Sequence, residues 1–277
     1  MSARHAVPVL MYHHVTPAGG VINATPGHFE SQLQWLKSHG YRSLTSDQFA
    51  AHLHGDAAPA KSVLITFDDG YLDNFIHAYP LLKKYGFNAL IFLVTSWMQD
   101  GASRPLTGTT APLTPDHAKC MTLVSNAAFD DVALRWSEVE RMANDGVCEF
   151  HSHTHTHTRW DKVDPVNKNA RMASELADSR ATLLSRLGSV SAHFCWPQGY
   201  FDADYRQIAL EAGFRYLYTT HAFGMNVPGT DPAHIYRFAV RDTHGASVGR
   251  RLVVAGHPVI GPMFNRWKLW KRSRRQS

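Results

Sequence analysis

The chain alternates short apolar runs with segments of helical periodicity. Seven runs of predominantly apolar residues cover positions 7–11, 63–67, 89–94, 147–150, 192–196, 215–219 and 235–240. Such short runs are typical of strands that are buried on both faces. The segments between them carry apolar helix faces formed by Phe29, Leu33 and Leu36, by Phe75, Tyr79 and Leu82, and by Met172, Leu176 and Leu183. This alternation predicts an α/β fold built on a parallel sheet, either open or closed into a barrel.

Two segments depart from this pattern. Residues 100–133 are rich in Gly, Pro, Thr and Ala and lack a sustained period, so they predict an insertion loop. Loops of this length are often functional lids. We expect one domain over residues 1–262, followed by a basic, aromatic tail over residues 263–277.

The net charge of +5 comes from that tail. Without the six basic residues among the last twelve positions, 22 basic residues face 23 acidic ones. A nearly neutral body argues against a basic groove, so we expect no nucleic-acid partner. The tail mixes two tryptophans and a leucine with Arg266, Lys268, Lys271, Arg272, Arg274 and Arg275. Such a segment suits an anionic membrane surface or, equally, a solvated and disordered end.

The cysteines and the first apolar run bear on the cellular compartment. Cys120, Cys148 and Cys195 are an odd number at unrelated spacings, which predicts free thiols in a reducing compartment. The run at 7–11 ends in Tyr-His-His without a cleavage site, so it predicts a strand rather than a signal peptide. No stretch approaches the ~20 apolar residues of a membrane-spanning helix. We therefore expect a cytoplasmic protein that is soluble or peripheral to the inner membrane.

Two adjacent carboxylates follow a predicted buried strand. Asp68 and Asp69 come directly after the run at 63–67. Sites in parallel α/β folds are built at this edge of the sheet. At a strand-to-loop turn both carboxylates can reach one pocket, where one could bind a cation while the other acts as a base. The alternative is an Asp-Asp-Gly turn in which the carboxylates only cap the backbone.

Four histidines alternate after another apolar run. His151, His153, His155 and His157 lie within seven residues, which is difficult to explain as core packing. In an extended segment they share one side, and in a helix residues four apart converge, as in metal-binding His-x-x-x-His pairs. The cluster therefore predicts metal binding. One carboxylate and two imidazoles leave positions on a zinc-like ion for water and a carbonyl oxygen, as in hydrolytic sites.

The two clusters together resemble the polysaccharide deacetylases with the NodB-homology domain. The sequence TFDDGY looks like their first motif, and the histidine segment looks like their second, H-[ST]-x-x-H. Two registers fit, His153 with His157 and His151 with His155, and the residues that precede the motif favour the first. The resemblance implies that Asp68 is the catalytic base.

The same resemblance implies a divalent metal held by Asp69, His153 and His157. Zinc is the expected ion, with cobalt or nickel as alternatives that tolerate the same ligands. Tyr71, which closes the first motif, is expected to contact the substrate.

The third motif of that family, R-x-P-[YFW]-G, corresponds here to Cys-Trp-Pro-Gln-Gly. Cys195 replaces the arginine that tethers the base, and Gln198 replaces the aromatic residue. The substitution resembles the branch that acts on poly-N-acetylglucosamine, in which the arginine is also missing. The resemblance implies substrate contacts for Trp196, Pro197 and Gly199. Packing is a more common role than nucleophilic attack for such a cysteine. Four residues that match no motif could tether the base or contact substrate: Arg237, Arg241, His244 and His257.

The segment Leu-Met-Tyr-His-His-Val at positions 10–15 resembles the same branch, in which a circular permutation places the motif with the acidic histidine first. By this analogy His13 protonates the leaving amine, with His14 as the competing candidate and a purely structural histidine as the alternative. The resemblance covers residues 7 to about 242. We expect a single deformed (β/α) barrel with about seven parallel strands and a ligand groove across its C-terminal face.

These features predict a metal-dependent carbohydrate de-N-acetylase. The expected substrate is an N-acetylhexosamine, N-acetylglucosamine above all, in a bacterial cell-envelope glycan or glycolipid such as a lipopolysaccharide precursor. One alternative is a deacetylase or deformylase of a nucleotide sugar that uses the same site. The other is a non-catalytic glycan-binding module on the same fold, supported only by the missing arginine of the third motif.

Overall fold

The computed structural model describes residues 5–56, 58–106, 108 and 111–274. Its strands are β1 (Val9–Tyr12), β2 (His14–Val15), β3 (Asn23–Ala24), β4 (Arg42–Ser43), β5 (Ser62–Phe67), β6 (Ala89–Leu93), β7 (Cys148–Ser152), β8 (His193–Cys195), β9 (Tyr216–Tyr218) and β10 (Phe238–Ala239). The main sheet has the order β10-β1-β5-β6-β7-β8-β9, and all of its pairings are parallel. β4 pairs with β5 beside this path, and β2 pairs with β3 separately.

The helices cover the sheet and its ends. They are α1 (Pro26–Ser38), α2 (Ser46–His54), α3 (Tyr79–Tyr85), α4 (His117–Ser125), α5 (Trp136–Asn144), α6 (Trp160–Val163), α7 (Lys168–Leu187), α8 (Ala203–Glu211), α9 (Gly245–Gly256) and α10 (Ile260–Ser273). A π-helical turn, Asn74–Ala78, precedes α3, and short 3-10 turns cover Phe129–Asp131 and Pro197–Gly199. The apolar face predicted for α1 is buried, because Phe29, Leu33 and Leu36 pack into the core.

The predicted barrel is confirmed. Each of the seven apolar runs overlaps one strand of the seven-strand path, and every residue of β5 and β6 is buried, as expected for strands covered on both faces. The stretch 235–239 links the two ends of the path, because Ile235 bridges to Tyr218 of β9 while Phe238 pairs with Leu10 of β1. The sheet therefore curls into a deformed barrel.

The predicted insertion loop contains a helix. α4 lies within residues 100–133, and its N-cap residue Asp116 accepts a hydrogen bond from the backbone N–H of Lys119. Cys120 is the only side chain that this helix buries, so the segment gives no periodic apolar signal. A capped helix with one buried side chain cannot be recognised from hydrophobic spacing.

The predicted tail also begins inside regular structure. α10 runs across the expected boundary at residue 262 and packs on α9, with Gly261 buried at the contact. None of the described helices combines the length and the apolar composition needed to cross a bilayer.

A buried histidine lies in the core between β7 and β9. Nδ1 of His193 is 2.8 Å from the hydroxyl of Tyr218, and its ring centroid is 5.2 Å from that of His151. Burial lowers the pKa of His193 well below its ordinary value, and the neighbouring His151 lowers it further. The folded protein therefore holds this imidazole neutral at a pH where the unfolded chain binds a proton.

The stability of the protein is expected to fall as the pH drops below about 6.5, the ordinary histidine pKa. Between pH 7.5 and 5.5 the unfolded chain gains a proton at His193 that the folded state does not, which lowers the free energy of unfolding by about 1.4 kcal/mol. Urea denaturation of wild type and His193→Gln at both pH values measures this contribution, which the variant should lack. The exposed His39→Gln variant should behave like wild type; an equal pH dependence for all three proteins would contradict the prediction.

Candidate active site

Residues at the carboxyl ends of four strands of the main sheet line one pocket. His13 follows β1, Asp68 follows β5, His153 follows β7 and Trp196 follows β8. The pocket has a volume of about 230 Å³. Active sites of parallel barrels lie at this end, because the loops that follow the strands all leave the same edge of the sheet.

Eight of the nine site residues expected from the sequence line this pocket: His13, Asp68, Asp69, Tyr71, His153, His157, Trp196 and Gly199. Pro197 is buried and does not line it. Five further residues line the pocket and were not expected there: Ile22, His117, Met121, Gln198 and Thr220. Two of these, His117 and Met121, belong to the segment 100–133, which therefore borders the pocket.

Asp69, His153 and His157 converge on one point. Oδ1 of Asp69 lies 3.3 Å from Nε2 of His153 and 3.4 Å from Nε2 of His157. A tetrahedral ion with bonds of about 2.0–2.1 Å holds its ligand atoms roughly 3.3 Å apart. Oδ1 of Asp69 is buried and has no hydrogen-bond partner in the described part of the chain. The three side chains therefore fit a divalent metal.

The protonation of His153 supports this fit. Its Nδ1 lies 2.8 Å from the backbone oxygen of Cys195, so Nδ1 carries the proton and donates it. In the neutral ring, which is the form that binds a metal, Nε2 has a lone pair directed at Oδ1 of Asp69. Metal-binding histidines have this arrangement, in which a hydrogen bond on one nitrogen orients the other toward the ion.

The pKa values of the two histidines shift in opposite directions. Burial alone would lower the pKa of His153, but Cys195, Asp69 and Asp68 outweigh it and raise that pKa well above its ordinary value. Burial lowers the pKa of His157 to about 4. Burial would raise the pKa of Asp69, yet the two histidines reverse the direction and lower it. A carboxylate and two imidazoles in this state bind a cation without first losing more than one proton.

The backbone around the cluster adopts left-handed conformations that non-glycine residues rarely take. φ is 75° at Asp69, 69° at Thr154, 64° at His157 and 53° at Gln198. At Asp69 this conformation ends β5 and turns the carboxylate into the same pocket as Asp68. Strained backbone of this kind persists where surrounding contacts fix it, and it concentrates at functional sites.

Glu175 of helix α7 holds the loop that follows β7 and carries His153 to His157. Oε2 of Glu175 accepts hydrogen bonds from the backbone N–H groups of His155 at 2.9 Å and Thr156 at 2.7 Å. The backbone N–H of His157 donates to the hydroxyl of Thr154 at 3.1 Å. These bonds fix the turn that brings His157 back toward His153.

The alternative histidine register does not converge with Asp69. Nδ1 of His151 contacts the hydroxyl of Ser191 at 2.6 Å, and burial lowers its pKa to about 3. Nδ1 of His155 contacts the hydroxyl of Thr95 at 2.9 Å. His151 lies on β7 and faces the barrel core, whereas His155 lies in the loop, so the spacing of four does not bring these two rings together.

Asp68 is paired with an arginine from the last strand region. The guanidinium of Arg237 donates from Nη1 to Oδ1 at 2.7 Å and from Nη2 to Oδ2 at 2.8 Å. Both side chains are buried. Burial would raise the pKa of Asp68, but Arg237 outweighs it and keeps the carboxyl ionised with a lowered pKa.

Arg237 makes the contact with Asp68 that the missing arginine of the third motif would make. Nη2 lies 2.9 Å from Sγ of Cys195, so the small cysteine side chain leaves room for a guanidinium that arrives from elsewhere in the chain. The sequence contains one signal for this pairing, the single arginine inside the apolar run at 235–240. An arginine in a buried strand requires an anionic partner. Arg241, His244 and His257, the other three candidates, lie outside the pocket.

The two histidines after β1 have different environments. His13 lines the pocket, with Nε2 3.8 Å from Oδ2 of Asp68. Burial lowers the pKa of His13, although Asp68 and Asp69 act in the opposite direction. His14 is fully buried, and its Nδ1 lies 2.6 Å from Oδ2 of Asp73. His13 is therefore the histidine that a substrate can reach.

Cys195 is fully buried beside the carboxylate and guanidinium pair. Its Sγ lies 3.6 Å from Oδ2 of Asp68. Burial raises the pKa of the thiol, with Arg237 acting in the opposite direction. A buried thiol with a raised pKa is a poor nucleophile, which favours packing as its role.

Comparison of the sequence with protein-family models identifies the class of protein to which this barrel and pocket belong. A family model described as polysaccharide deacetylase matches residues 55–217. The chain therefore belongs to the polysaccharide deacetylase family, and the resemblance carried by its motifs is confirmed. The family is named for the deacetylation of polysaccharides, which is a hydrolytic reaction.

Individual relatives agree with this assignment. YxkH of Bacillus subtilis (strain 168), a protein named for the same family, is 30% identical over 215 residues, which cover 77% of this chain and 64% of that protein. A poly-β-1,6-N-acetyl-D-glucosamine N-deacetylase of Staphylococcus aureus (strain MSSA476) is 24% identical over 79% of this chain and 68% of its own. The chain thus spans about two thirds of the length of these relatives.

A solved structure shares the fold over almost the whole chain. IcaB from Ammonifex degensii superposes with a TM-score of 0.71 and is 25% identical. The superposition covers 91% of this chain and 98% of IcaB. The comparison extends the likeness beyond the residues that the family model matches.

Proposed function

We propose that this protein is a metal-dependent carbohydrate de-N-acetylase with Asp69, His153 and His157 as metal ligands. The observation that carries the proposal is the buried Oδ1 of Asp69, which has no hydrogen-bond partner in the described chain and faces two imidazole nitrogens. Three oxygen and nitrogen ligands at this spacing leave positions for water and substrate. The family, whose members deacetylate polysaccharides, supplies the reaction class.

Three further polar residues are proposed to take part in amide hydrolysis. A bound divalent ion would supply Lewis-acid polarisation of the acyl oxygen and a more acidic water. Asp68 would accept the proton of the attacking water, and Arg237 holds the carboxylate of Asp68 in the ionised form. His13 donates a proton from Nε2 to the departing amine nitrogen, because it lies in the pocket beside Asp68. Asp68 and Asp69 favour the protonated imidazole that this step requires, whereas burial of His13 acts against it.

The substrate is proposed to be an N-acetylhexosamine, N-acetylglucosamine above all. Tyr71, Trp196 and Gly199 line the pocket beside the metal ligands, where they limit its shape. Gly199 lies close to Thr220, and a Cβ at this position would be 2.1 Å from its hydroxyl oxygen. The Staphylococcus relative is named for N-acetylglucosamine deacetylation, which supports the same sugar here.

Helix α10 supports a membrane-associated substrate such as a glycolipid or lipopolysaccharide precursor. Ile260, Met263, Trp267 and Trp270 follow a 3, 4, 3 spacing along one side of the helix, and each is between 47% and 67% exposed. Cations flank this stripe, including Lys268 and Lys271. Exposed aromatic residues among cations suit an anionic bilayer surface. Arg275 of the expected tail lies outside the described residues.

The expected compartment is the cytoplasmic face of a bacterial inner membrane. Cys120, Cys148 and Cys195 are free and buried, without a disulfide among the described residues. Free cysteines are usual in a reducing compartment. The membrane-bound intermediates of cell-envelope glycans offer acetylated sugars at that surface.

Replacing Trp267 and Trp270 with alanine is expected to weaken binding to phosphatidylglycerol vesicles roughly tenfold or more, because two interfacial rings are lost. Vesicle sedimentation at low and high salt measures this effect. Val166→Ala, which truncates a side chain that is 90% exposed elsewhere, is the control and should bind like wild type. Equal binding of all three proteins would remove the support for a membrane-associated substrate.

Metal content and acetate release test the function itself. Wild type is expected to bind about one divalent ion and to release acetate from N-acetylglucosamine oligomers or lipopolysaccharide precursors. His157→Ala removes a ligand, so metal affinity should fall by at least about 100-fold, more than the loss typical of residues that only support a ligand. His155→Ala, two positions away in the same loop, is the matched control and should keep both metal and activity.

The outcomes separate the competing functions. Activity on nucleotide sugars and not on oligomers or lipid-linked acceptors would favour the small-substrate enzyme. Metal-free and inactive wild type under metal-replete conditions would favour a glycan-binding module. The missing arginine supported that module, but Arg237 pairs with Asp68 and so provides the charge that Cys195 lacks. A larger effect of His155→Ala than of His157→Ala would contradict the ligand assignment.

A further inference from the structure

A hydrogen-bond chain separate from the metal ligands reaches the same pocket. Nδ1 of His14 lies 2.6 Å from Oδ2 of Asp73, and Nε2 of His14 lies 3.2 Å from Nδ1 of His117. Asp73 and His14 are buried, and His117 lines the pocket. Three polar side chains from three separate segments therefore form a line from the interior to the substrate site.

Further contacts hold the inner end of this chain. Oδ1 of Asp73 accepts hydrogen bonds from the backbone N–H of Val15 at 2.9 Å and from Nδ2 of Asn74 at 2.8 Å. The ring of His14 stacks on Tyr71 with a centroid distance of 3.9 Å. Neither Asp73 nor His14 can rotate without leaving buried polar groups unpaired, so the inner end is fixed.

The segment that carries His117 is also attached to the barrel. The hydroxyl of Thr16 donates to the backbone oxygen of Thr114 at 2.7 Å, and Nε2 of His77 lies 3.0 Å from the hydroxyl of Thr114. α4 begins three residues later at His117. These bonds place the start of α4 at the edge of the pocket.

The chain determines which atom faces the substrate. A carboxylate only accepts, so Nδ1 of His14 donates its proton to Asp73. With one proton on each ring, Nε2 of His14 accepts from Nδ1 of His117, and Nε2 of His117 keeps a lone pair. That nitrogen has no hydrogen-bond partner in the part of the chain that the structure describes. A fixed acceptor in a sugar-binding pocket matches a donor on the sugar, and hydroxyl groups are the most numerous donors that a sugar offers.

We propose that His117 is a substrate-positioning residue that accepts a hydrogen bond from a hydroxyl group of the sugar. His14 and Asp73 act through it by fixing its ring. The inference rests on the proposed deacetylation and adds the contact that orients the sugar relative to the metal ligands. If His14 and Asp73 served only to attach β2 to the segment after β5, the contact between His14 and His117 at the pocket would not be required.

Kinetics on two kinds of substrate test the role of His117. With N-acetylglucosamine oligomers, His117→Ala is expected to raise KM roughly 10-fold and to change kcat by less than about 2-fold, because a binding contact to a neutral group is lost. A small aryl acetate ester has the acyl group without sugar hydroxyls, so its hydrolysis should be unchanged. Thr122→Ala, on the exposed side of the same helix, is the control and should match wild type on both.

Monodeoxy analogues of the oligomer identify the hydroxyl group. One analogue should raise the KM of wild type about as much as His117→Ala does, and it should raise the KM of the variant no further. Asp73→Asn should also raise KM, and combining it with His117→Ala should add little, because both act on one contact. An unchanged KM in His117→Ala, or an equal loss on the aryl acetate, would overturn the proposal.

The test also separates this role from the proposed function. If metal-loaded wild type hydrolyses neither substrate, the deacetylase assignment fails while the binding role stays testable. Calorimetric titration of the metal-loaded proteins with the oligomer then compares wild type and His117→Ala directly. A roughly 10-fold weaker Kd for the variant supports the contact, and equal Kd values overturn it.

Discussion

Asp68→Asn is expected to keep the bound metal and to lower kcat by about 10²- to 10⁴-fold, the usual contribution of a general base. The amide has nearly the shape of the carboxylate, so it can keep one hydrogen bond from Arg237 while losing the ability to take up a proton. Metal ligation should survive because Asp69, His153 and His157 are untouched. Metal analysis together with acetate release from N-acetylglucosamine oligomers measures both properties.

A second Asp→Asn variant controls for the substitution itself. Asp56 is exposed, remote from the pocket lining and identical in chemistry, so Asp56→Asn should match wild type in metal content and kcat. Loss of the metal in Asp68→Asn would place Asp68 among the ligands. Wild-type turnover in a metal-loaded Asp68→Asn protein would show that another group takes the proton.

Arg237→Met is expected to lower the free energy of unfolding by about 3–5 kcal/mol, because it leaves the buried charge of Asp68 without its partner. The guanidinium also donates from Nε to the backbone oxygen of Thr219 at 2.9 Å, and this acceptor loses its donor as well. Activity should fall with stability, since the base loses the bidentate contact that orients it. Urea denaturation and kcat on the same preparations measure the two effects.

Double variants separate the charge pair from simple packing. Arg237→Met combined with Asp68→Asn should be more stable than the sum of the two single effects predicts, because the unpaired charge is gone. Arg237→Lys should recover part of the stability and less of the activity, since an ammonium group cannot make both hydrogen bonds of the fork. Strict additivity in the double variant would show that Arg237 contributes mainly by filling space.

Most of the sheet could be predicted from the sequence because its signals are local. A parallel strand buried on both faces needs a short apolar run, and all seven runs became strands of the main path. The motif around Asp68 and Asp69 lies where β5 ends, and the histidine motif lies where β7 ends. Adjacent residues and short spacings therefore carried the metal-binding hypothesis.

The partners of these residues could not be predicted in the same way. Arg237 is 169 positions from Asp68 and His117 is 103 positions from His14, and no spacing in the sequence relates them. Helix α4 escaped prediction because it buries one side chain. The choice between the histidine registers depends on a left-handed turn at Thr154 and His157 that hydrogen bonds from other segments hold in place.

The sequence by itself determined the alternation of strands and helices, the family and the residue types of the candidate metal site, because each depends on neighbours along the chain. Only the tertiary structure decided which charges are paired and which atoms face the pocket. The orphaned oxygen of Asp69, the pairing of Asp68 with Arg237 and the chain from Asp73 to His117 arise where distant segments meet. In a buried pocket those long-range contacts set the charge, orientation and protonation of the groups that do the chemistry.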